Sequence, residues 1–367
     1  MKHARLSPSS SSRWLTCTSS VEMSERYKGG GNDSAKLGTA IHEIGEMVLR
    51  GHTIPSVVEG LEVTDEMQEC ATEYATYVKE LVNDDSIVLI EERFNLSSIS
   101  KGQFGTSDAT ILNGTHLHVI DLKTGFNIVN AESNTQMMLY AIGAVDDLEV
   151  IYDIKTITLH IVQTRAGHVD TWDLNYEDLM KFKAYAQTQA KAIVEGGTKF
   201  NPSTKACQWC LHKVNCEALK NHVDEVVTGS FDNLEELEGN ADKVSIDHMK
   251  KILDNSDLIL GFVKAVKEVA LERMEAGEDI TGYKLVESKT NRKWVDEDLV
   301  KSHLMGLKDD VDYYNHKLLP MTQLLKLRKD DEKLQELLIK PQGRATLVAS
   351  SDKRQAISQV SDDFDEI

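Results

Sequence analysis

The sequence predicts an α/β fold followed by a mainly helical C-terminal extension. Apolar residues recur at helical spacing over residues 37–49 (Leu37, Ile41, Ile44, Val48) and 64–82 (Met67, Ala71, Tyr74, Val78). The period then changes. Ile87-Val88-Leu89-Ile90 opens a strand over residues 86–96, and a hairpin follows over residues 108–123. Its turn is read at Asn113-Gly114, a pair that tolerates the positive φ of tight hairpins.

The elements follow in order. Ser7 and Ser9 to Ser12 supply N-caps for a helix carrying Arg13-Trp14-Leu15-Thr16-Cys17. Gly29-Gly30-Gly31-Asn32-Asp33 reads as a flexible loop before the two amphipathic helices. After the hairpin come a helix over 134–144, a strand over 154–163 and a helix over 179–195, stopped by Gly196-Gly197. Residues 230–276 are charged and helical, 282–295 suit a short β segment, 296–340 read as helical and 341–367 as a loose acidic tail. The boundaries expected are therefore 1–225, 226–340 and 341–367, with no internal repeat.

A chain of 367 residues with 41% hydrophobic content holds one large domain or two ordinary ones. No run approaches the roughly 18–20 apolar residues of a membrane span. Residues Met1 to Leu6 lack the apolar region of a signal peptide, so a cytoplasmic protein is the default expectation. The net charge of −19 argues against a generally basic nucleic-acid coat but leaves room for a local basic track. Five cysteines do not make a disulfide framework here.

An acid, one spacer and a lysine occurs four times, so context must choose among the copies. Asp331/Lys333 falls in a helix, where residues two apart face different ways. Asp153/Lys155 and Glu287/Lys289 lack a second acid placed across a turn. Asp121/Lys123 differs. Strand spacing puts both on one face, the hairpin returns Asp108 toward Asp121, and Thr124-Gly125 lets the backbone leave at once. A surface hairpin with solvated charges is the plain alternative. Cys207-x2-Cys210-x5-Cys216 groups three thiols, and Cys17 is the natural fourth ligand; such a set suits an iron–sulfur cluster or zinc. Cys70 reads as an ordinary buried thiol. Lys289, Arg292, Lys293 and Trp294 suit either single-strand binding or a strand with one buried face.

Four motifs carry a resemblance. Gly38-x-x-x-His42, Gly105-x-x-Asp108, Asp121-x-Lys123-Thr124-Gly125 and Gln136-x-x-x-Tyr140 resemble, in order and spacing, the PD-(D/E)xK nuclease superfamily. They are closest to its RecB and AddB branch, which includes CRISPR-associated relatives. The resemblance covers about residues 13–217; the later region resembles the tails of phage and prophage proteins built on this core. It implies a mixed central sheet flanked by helices. It implies Mg²⁺ or Mn²⁺ held by His42, Asp108 and Asp121, with the Leu122 carbonyl as a further ligand and Glu91 as a supporting acid. Lys123 would orient the attacking water, and Gln136 and Tyr140 would position the DNA backbone. Cys17, Cys207, Cys210 and Cys216 resemble the [4Fe–4S] staple of AddB-type nucleases, with structural Zn²⁺ as the alternative.

The implied activity is metal-dependent hydrolysis of DNA phosphodiester bonds, exonuclease rather than endonuclease, in phage recombination, replication or repair inside a bacterial host. The implied partner is DNA with a free end or single-stranded region, alongside replication or recombination proteins or a second copy of the chain, and no membrane. A catalytically inactive DNA-binding or scaffold protein on the same fold is the alternative.

Overall fold

The computed structural model describes residues 4–27, 33–229, 244–307, 313, 321–329, 331–339, 343, 345–349 and 354–356. The chain divides into two compact units, residues 1–262 and 263–367. The glycine run at 29–31 and the acidic end at 361–367 lie outside the described residues.

The first unit opens with a 3₁₀ turn (Pro8–Ser10) and two short helices, α1 (Ser11–Thr16) and α2 (Ser20–Glu25). Trp14 is fully buried, and its indole N–H donates to the Ser7 carbonyl at 3.1 Å. Helices α3 (Asp33–Arg50) and α4 (Asp65–Glu80) flank a small hairpin of β1 (Val57–Val58) and β2 (Leu61–Glu62). Thr64 caps α4 by accepting from the Met67 N–H. Its buried residues, Met67, Cys70, Ala71, Tyr74, Ala75 and Val78, form the stripe that a one-sided helix needs.

A five-stranded mixed sheet follows, in the order β3 (Ile87–Asn95), β4 (Phe104–Asn113), β5 (His116–Leu122), β6 (Thr156–Gln163) and β7 (His168–Asn175). Only β5 and β6 run parallel. Helix α5 (Thr135–Leu148) makes their crossover, and α6 (Tyr176–Glu195) follows β7. Asn134 accepts from the N–H groups of Gln136 and Met137 at the start of α5. Every residue from Met137 to Val145 is buried, because α5 packs against β3 to β6, α1 and α6. Gly196 ends α6 with φ of 80°, a left-handed C-cap.

Each sheet face has its own core. Leu117, Val119, Ile157, Leu159 and Ile161 meet α1, α5 and α6. Ala109, Ile111, Ile120, Leu122 and Val162 meet α3 and α4, with Cys70 in that layer as expected. On the α4 side a polar chain enters the core: Tyr77 Oη lies 2.8 Å from His160 Nδ1, and His160 Nε2 lies 3.0 Å from His118 Nδ1. Burial, reinforced by neighbouring imidazoles, pushes His118 down to about 4 and His160 down to about 3.

The hairpin turn sits one residue later than expected. Asn113 pairs with His116 as the last rung, and only Gly114 of the two loop residues has positive φ, at 63°. That is the pattern of a turn needing glycine at its first central position. Asn113 is instead fixed by its side chain, which donates to the Leu81 carbonyl and accepts from Ser86 Oγ.

Helices α7 (Thr204–Cys207) and α8 (Glu217–Thr228) carry the cysteine region. The boundary expected near residue 225 falls inside α8. The chain instead adds α9 (Ile246–Asp254) and enters α10 (Ser256–Glu275) before the unit ends, because Leu219 of α8 packs with Leu258 and Phe262. The second unit is less purely helical than expected. Strand β8 (Tyr283–Glu287) pairs with β11 (Ala345–Ala349), and β9 (Lys293–Trp294) pairs with β10 (Leu338–Ile339). Residues 345–349 are thus a strand, not part of a loose tail. Helices α11 (Glu297–Met305), α12 (Met321–Leu327) and α13 (Glu332–Glu336) supply Val300, Leu304, Leu324 and Leu334 to a small core that Tyr313 joins from outside them.

Trp14 links the N-terminal segment to the larger core. Trp14→Ala should lower the unfolding free energy by roughly 3–5 kcal/mol. Val150→Ala, at a residue 83% exposed, should change it by less than about 0.5 kcal/mol. Urea titration of both variants reads the difference.

Candidate active site and thiol pocket

Strand pairing brings three acids to one level of the sheet. The rungs Ile90↔Ala109 and Glu92↔Ser107 set Glu91 opposite Asp108. The rung Ala109↔Ile120 makes Asp108 and Asp121 the next positions in line. Glu91 has φ of 49° and no rung of its own. A left-handed glutamate costs roughly 1–2 kcal/mol, and the break departs from the regular alternation of the strand.

Two of the motif glycines have packing reasons. A Cβ on Gly105 would lie 2.5 Å from Pro8 Cγ and 2.8 Å from Tyr140 Cε1, so only glycine lets α5 and the N-terminal turn close on β4. A Cβ on Gly38 would lie 3.0 Å from Thr124 Oγ1, where α3 approaches the chain leaving Lys123. One turn later on α3, His42 Nδ1 stands 3.3 Å from Asp108 Oδ1. Ligand atoms of His42, Glu91 and Asp108 all lie within 4.8 Å of one another. The other Asp108 oxygen accepts from the Leu122 backbone N–H at 2.7 Å. Leu122, expected to contribute its carbonyl, thus meets Asp108 through its N–H.

Asp121, only 2% exposed, anchors the second half of the site. Lys123 Nζ lies 2.8 Å from its Oδ2, and Gln136 Nε2 donates to its Oδ1 at 3.2 Å. Gln136 Oε1 accepts from Lys123 at 3.0 Å, and Nε2 also donates to Tyr140 Oη at 3.0 Å. The amide thus serves the lysine, the acid and the phenol together. The sequence-predicted residues of this group arrive in one place, although they come from α3, β3, β4, β5 with the residue after it, and α5.

The electrostatics are those of crowded acids held by cations. Burial opposes charge on His42, but Asp108, Asp121 and Glu91 outweigh it and hold the imidazole up to about 9. Burial and the neighbouring Asp108 push Glu91 up to about 8. Burial opposes the Asp108 carboxylate too, yet His42, the Leu122 N–H and Lys123 keep it below the usual range. Asp121 is raised by burial and Asp108 despite Lys123. Lys123 stays firmly protonated: burial disfavours its charge, and Asp121 more than compensates.

Tyr74 is the member that sequence reasoning missed. Its hydroxyl is buried with no hydrogen-bond partner among the described residues. Burial, then the charges of Asp108, Asp121 and Glu91, raise its pKa. Its place on the apolar stripe of α4 marked it only as core. The imidazole of His42 and the carboxyl groups of Glu91 and Asp108 form a possible metal-binding group.

The four predicted cysteines also meet. Cys17 follows α1, which packs against α7. Backbone bonds clip the segments together: Ser19 donates to the Lys199 carbonyl, and Asn201 N–H donates to Cys17 Sγ at 3.4 Å. Cys17, Cys207, Cys210 and Cys216 line one pocket with Met23, Phe200 and Pro202. Burial pushes the Cys17 thiol up and Cys207 up to about 11, only partly offset by backbone N–H groups. Among the described residues, the His42 group is the only set of three metal-binding side chains whose ligand atoms lie within 4.8 Å of one another.

No helix among the described residues is long and apolar enough to cross a membrane. The sequence profile of a family described as "protein of unknown function (DUF2800)" matches residues 3–355. Among solved structures, that of SSO0001 is similar at 13% identity, over 52% of this chain and 98% of the other, with a TM-score of 0.25.

The raised His42 and Glu91 values set the response to pH. At pH 7 both groups carry a proton, so Mn²⁺ should displace up to about two protons per ion and bind more tightly as pH rises toward 9. Calorimetry in buffers of different ionisation enthalpy counts the protons. The metal-free protein gains stability from charged His42 below its ordinary 6.5 and loses it as pH rises toward 9. Glu91 favours its neutral form up to about 8, so its contribution falls from 4.5 upward. Both signs agree: metal-free Tm should fall between pH 6 and 9, and Mn²⁺ should restore it.

Proposed function

We propose that this chain, which belongs to the DUF2800 family, is a metal-dependent deoxyribonuclease built on a PD-(D/E)xK core. The observation that carries the reading is the convergence of His42, Glu91, Asp108 and Asp121 beside the Lys123 ammonium. His42, Glu91 and Asp108 would hold Mg²⁺ or Mn²⁺, with Asp121 completing the acidic side. Bound there, the ion supplies an acidified water and offsets charge on the scissile phosphate.

The chain's own groups do the rest. Lys123 is locked between Asp121 and Gln136 and remains charged, so it acts as an electrostatic stabiliser of developing negative charge. Tyr140 has its pKa raised by burial and Asp121, so it remains a neutral O–H donor toward the phosphodiester backbone. Gln136 keeps the lysine and the phenol in register. An exonuclease is favoured over an endonuclease because the Gln-x-x-x-Tyr pattern accompanies RecB-like end processing. Roles in recombination, replication or repair of phage DNA fit that chemistry.

The reading extends to the thiol pocket, where Cys17, Cys207, Cys210 and Cys216 would hold a structural [4Fe–4S] cluster, with structural zinc as the alternative. Four thiols lining one pocket suit zinc as well; the preference for the cluster rests on the resemblance to AddB-type nucleases. Ligation by Cys17 and Cys207 would close a loop of roughly 190 residues, worth about 5 kcal/mol of unfolded-state entropy by analogy with disulfides.

End-labelled DNA incubated with the protein and Mn²⁺ tests the activity. Cleavage should occur, Asp121→Asn should abolish it, and Lys123→Ala should slow it by about 100- to 1000-fold. Cleavage surviving Asp121→Asn would refute the site; inertness of the unaltered protein would favour a DNA-binding or scaffold role. Anaerobically purified protein should contain iron and sulfide in equal amounts. Cys17→Ser should lose both and melt at lower temperature, whereas zinc in the unaltered protein would contradict the cluster.

A further inference from the structure

The chain leaving Lys123 shows an exposed apolar tip on a stiff mount. Phe126 is 65% exposed and Ile128 57% exposed, yet the loop between β5 and α5 that carries them is held from inside. Gln163, fully buried at the end of β6, donates to the carbonyls of Gly125 (2.6 Å) and Asn127 (2.8 Å) and accepts from the Val129 N–H (3.2 Å). Asp170 accepts from the Ala131 N–H at 2.7 Å. Arg165 donates to the Thr124 carbonyl and to Glu66, and its guanidinium carbon lies 4.5 Å from the Phe126 ring centroid.

Such a loop is pre-organised, and three of its backbone groups are satisfied by a single interior side chain. Its tip keeps two large apolar side chains in water, three and five residues past Lys123. Phe126 has one ring face backed by a cation, which leaves the other for a planar partner. The tip follows the parallel pair β5 and β6 at their carboxyl ends, where ligands of α/β sheets bind. Phe126 is three residues from Lys123, so their Cα atoms lie within about 11 Å.

We propose that Phe126, backed by Arg165 and flanked by Ile128, is a stacking platform for an unpaired nucleobase next to the phosphate held at Lys123. The inference rests on the nuclease reading and deepens it: the substrate is single-stranded DNA or a frayed end. Aromatic stacking tolerates any base, because every base has a π face, which suits processive digestion without sequence preference.

Equilibrium binding to the full chain, in EDTA so that nothing is cleaved, tests this apart from catalysis. The probe is a fluorescent oligothymidylate, compared with a strand of equal length made of abasic units. Phe126→Ala should weaken oligothymidylate binding by roughly 5- to 100-fold without lowering Tm, since the side chain is mostly exposed. Phe126→Tyr should retain binding and Phe126→Leu should not. The unaltered protein should bind the abasic strand as weakly as Phe126→Ala binds oligothymidylate. Equal affinity of the unaltered protein and Phe126→Ala overturns the proposal, as does an equal loss on the abasic strand or no binding at all. A change only in self-association assigns the tip to a protein interface and overturns it too. Loss of cleavage in Asp121→Asn with unchanged binding by Phe126→Ala would leave the nuclease reading standing and remove the platform alone.

Discussion

Glu91, Asp108 and Asp121 occupy one level of three neighbouring strands, and crowding three acids side by side, Asp121 buried and the other two half-buried, governs what surrounds them. Two like charges about 5 Å apart repel by roughly 3 kcal/mol at an effective dielectric near 20. Two such contacts would consume much of the 5–15 kcal/mol by which a domain is stable. The fold meets this with His42 on one side, Lys123 on the other and a proton on Glu91. The proposed ion would take the place of the protons on His42 and Glu91, while Lys123 stays charged beside Asp121.

The supporting structure exists to hold that row. The Gly105 contact admits Tyr140 against β4, Gln136 and Tyr140 reach the row from one face of α5, and α5 is buried on nearly every side. Trp14 and the segment around Cys17 pack beside α5, and Cys17 faces the pocket lined by the later cysteines. The two ends of the sheet-bearing region are therefore tied at the thiol pocket. A cluster there would fix α1 and, through it, the side of α5 that carries the site.

Much of this was legible because strong periodicity and spacing survive in a single sequence. The stripe from Met67 to Val78, the hairpin that returns Asp108 to Asp121, and the convergence of Cys17 with Cys207, Cys210 and Cys216 followed from residue types and intervals. The superfamily resemblance supplied the partnership of His42 and Gln136 with that hairpin, which spacing alone does not give. Other features left no local trace. Strand β7 has one buried residue in eight, as an edge strand with a solvated face, so no apolar run announced it. Nothing in Ile90-Glu91-Glu92 signals a left-handed backbone, since the conformation is imposed by the neighbours. Tyr74 reads as core by position and becomes notable only through its unpaired hydroxyl. The pairing of residues 345–349 with β8 is long-range, and such pairing is invisible to local pattern.

The central claim is that an imidazole from α3 and acids from the sheet share one cation. Pulsed paramagnetic resonance of bound Mn²⁺, with the protein labelled at histidine nitrogen, tests it directly. The proposal predicts coupling to a single histidine nitrogen that disappears in His42→Gln. Absence of any histidine coupling, or its persistence in that variant, would contradict the account.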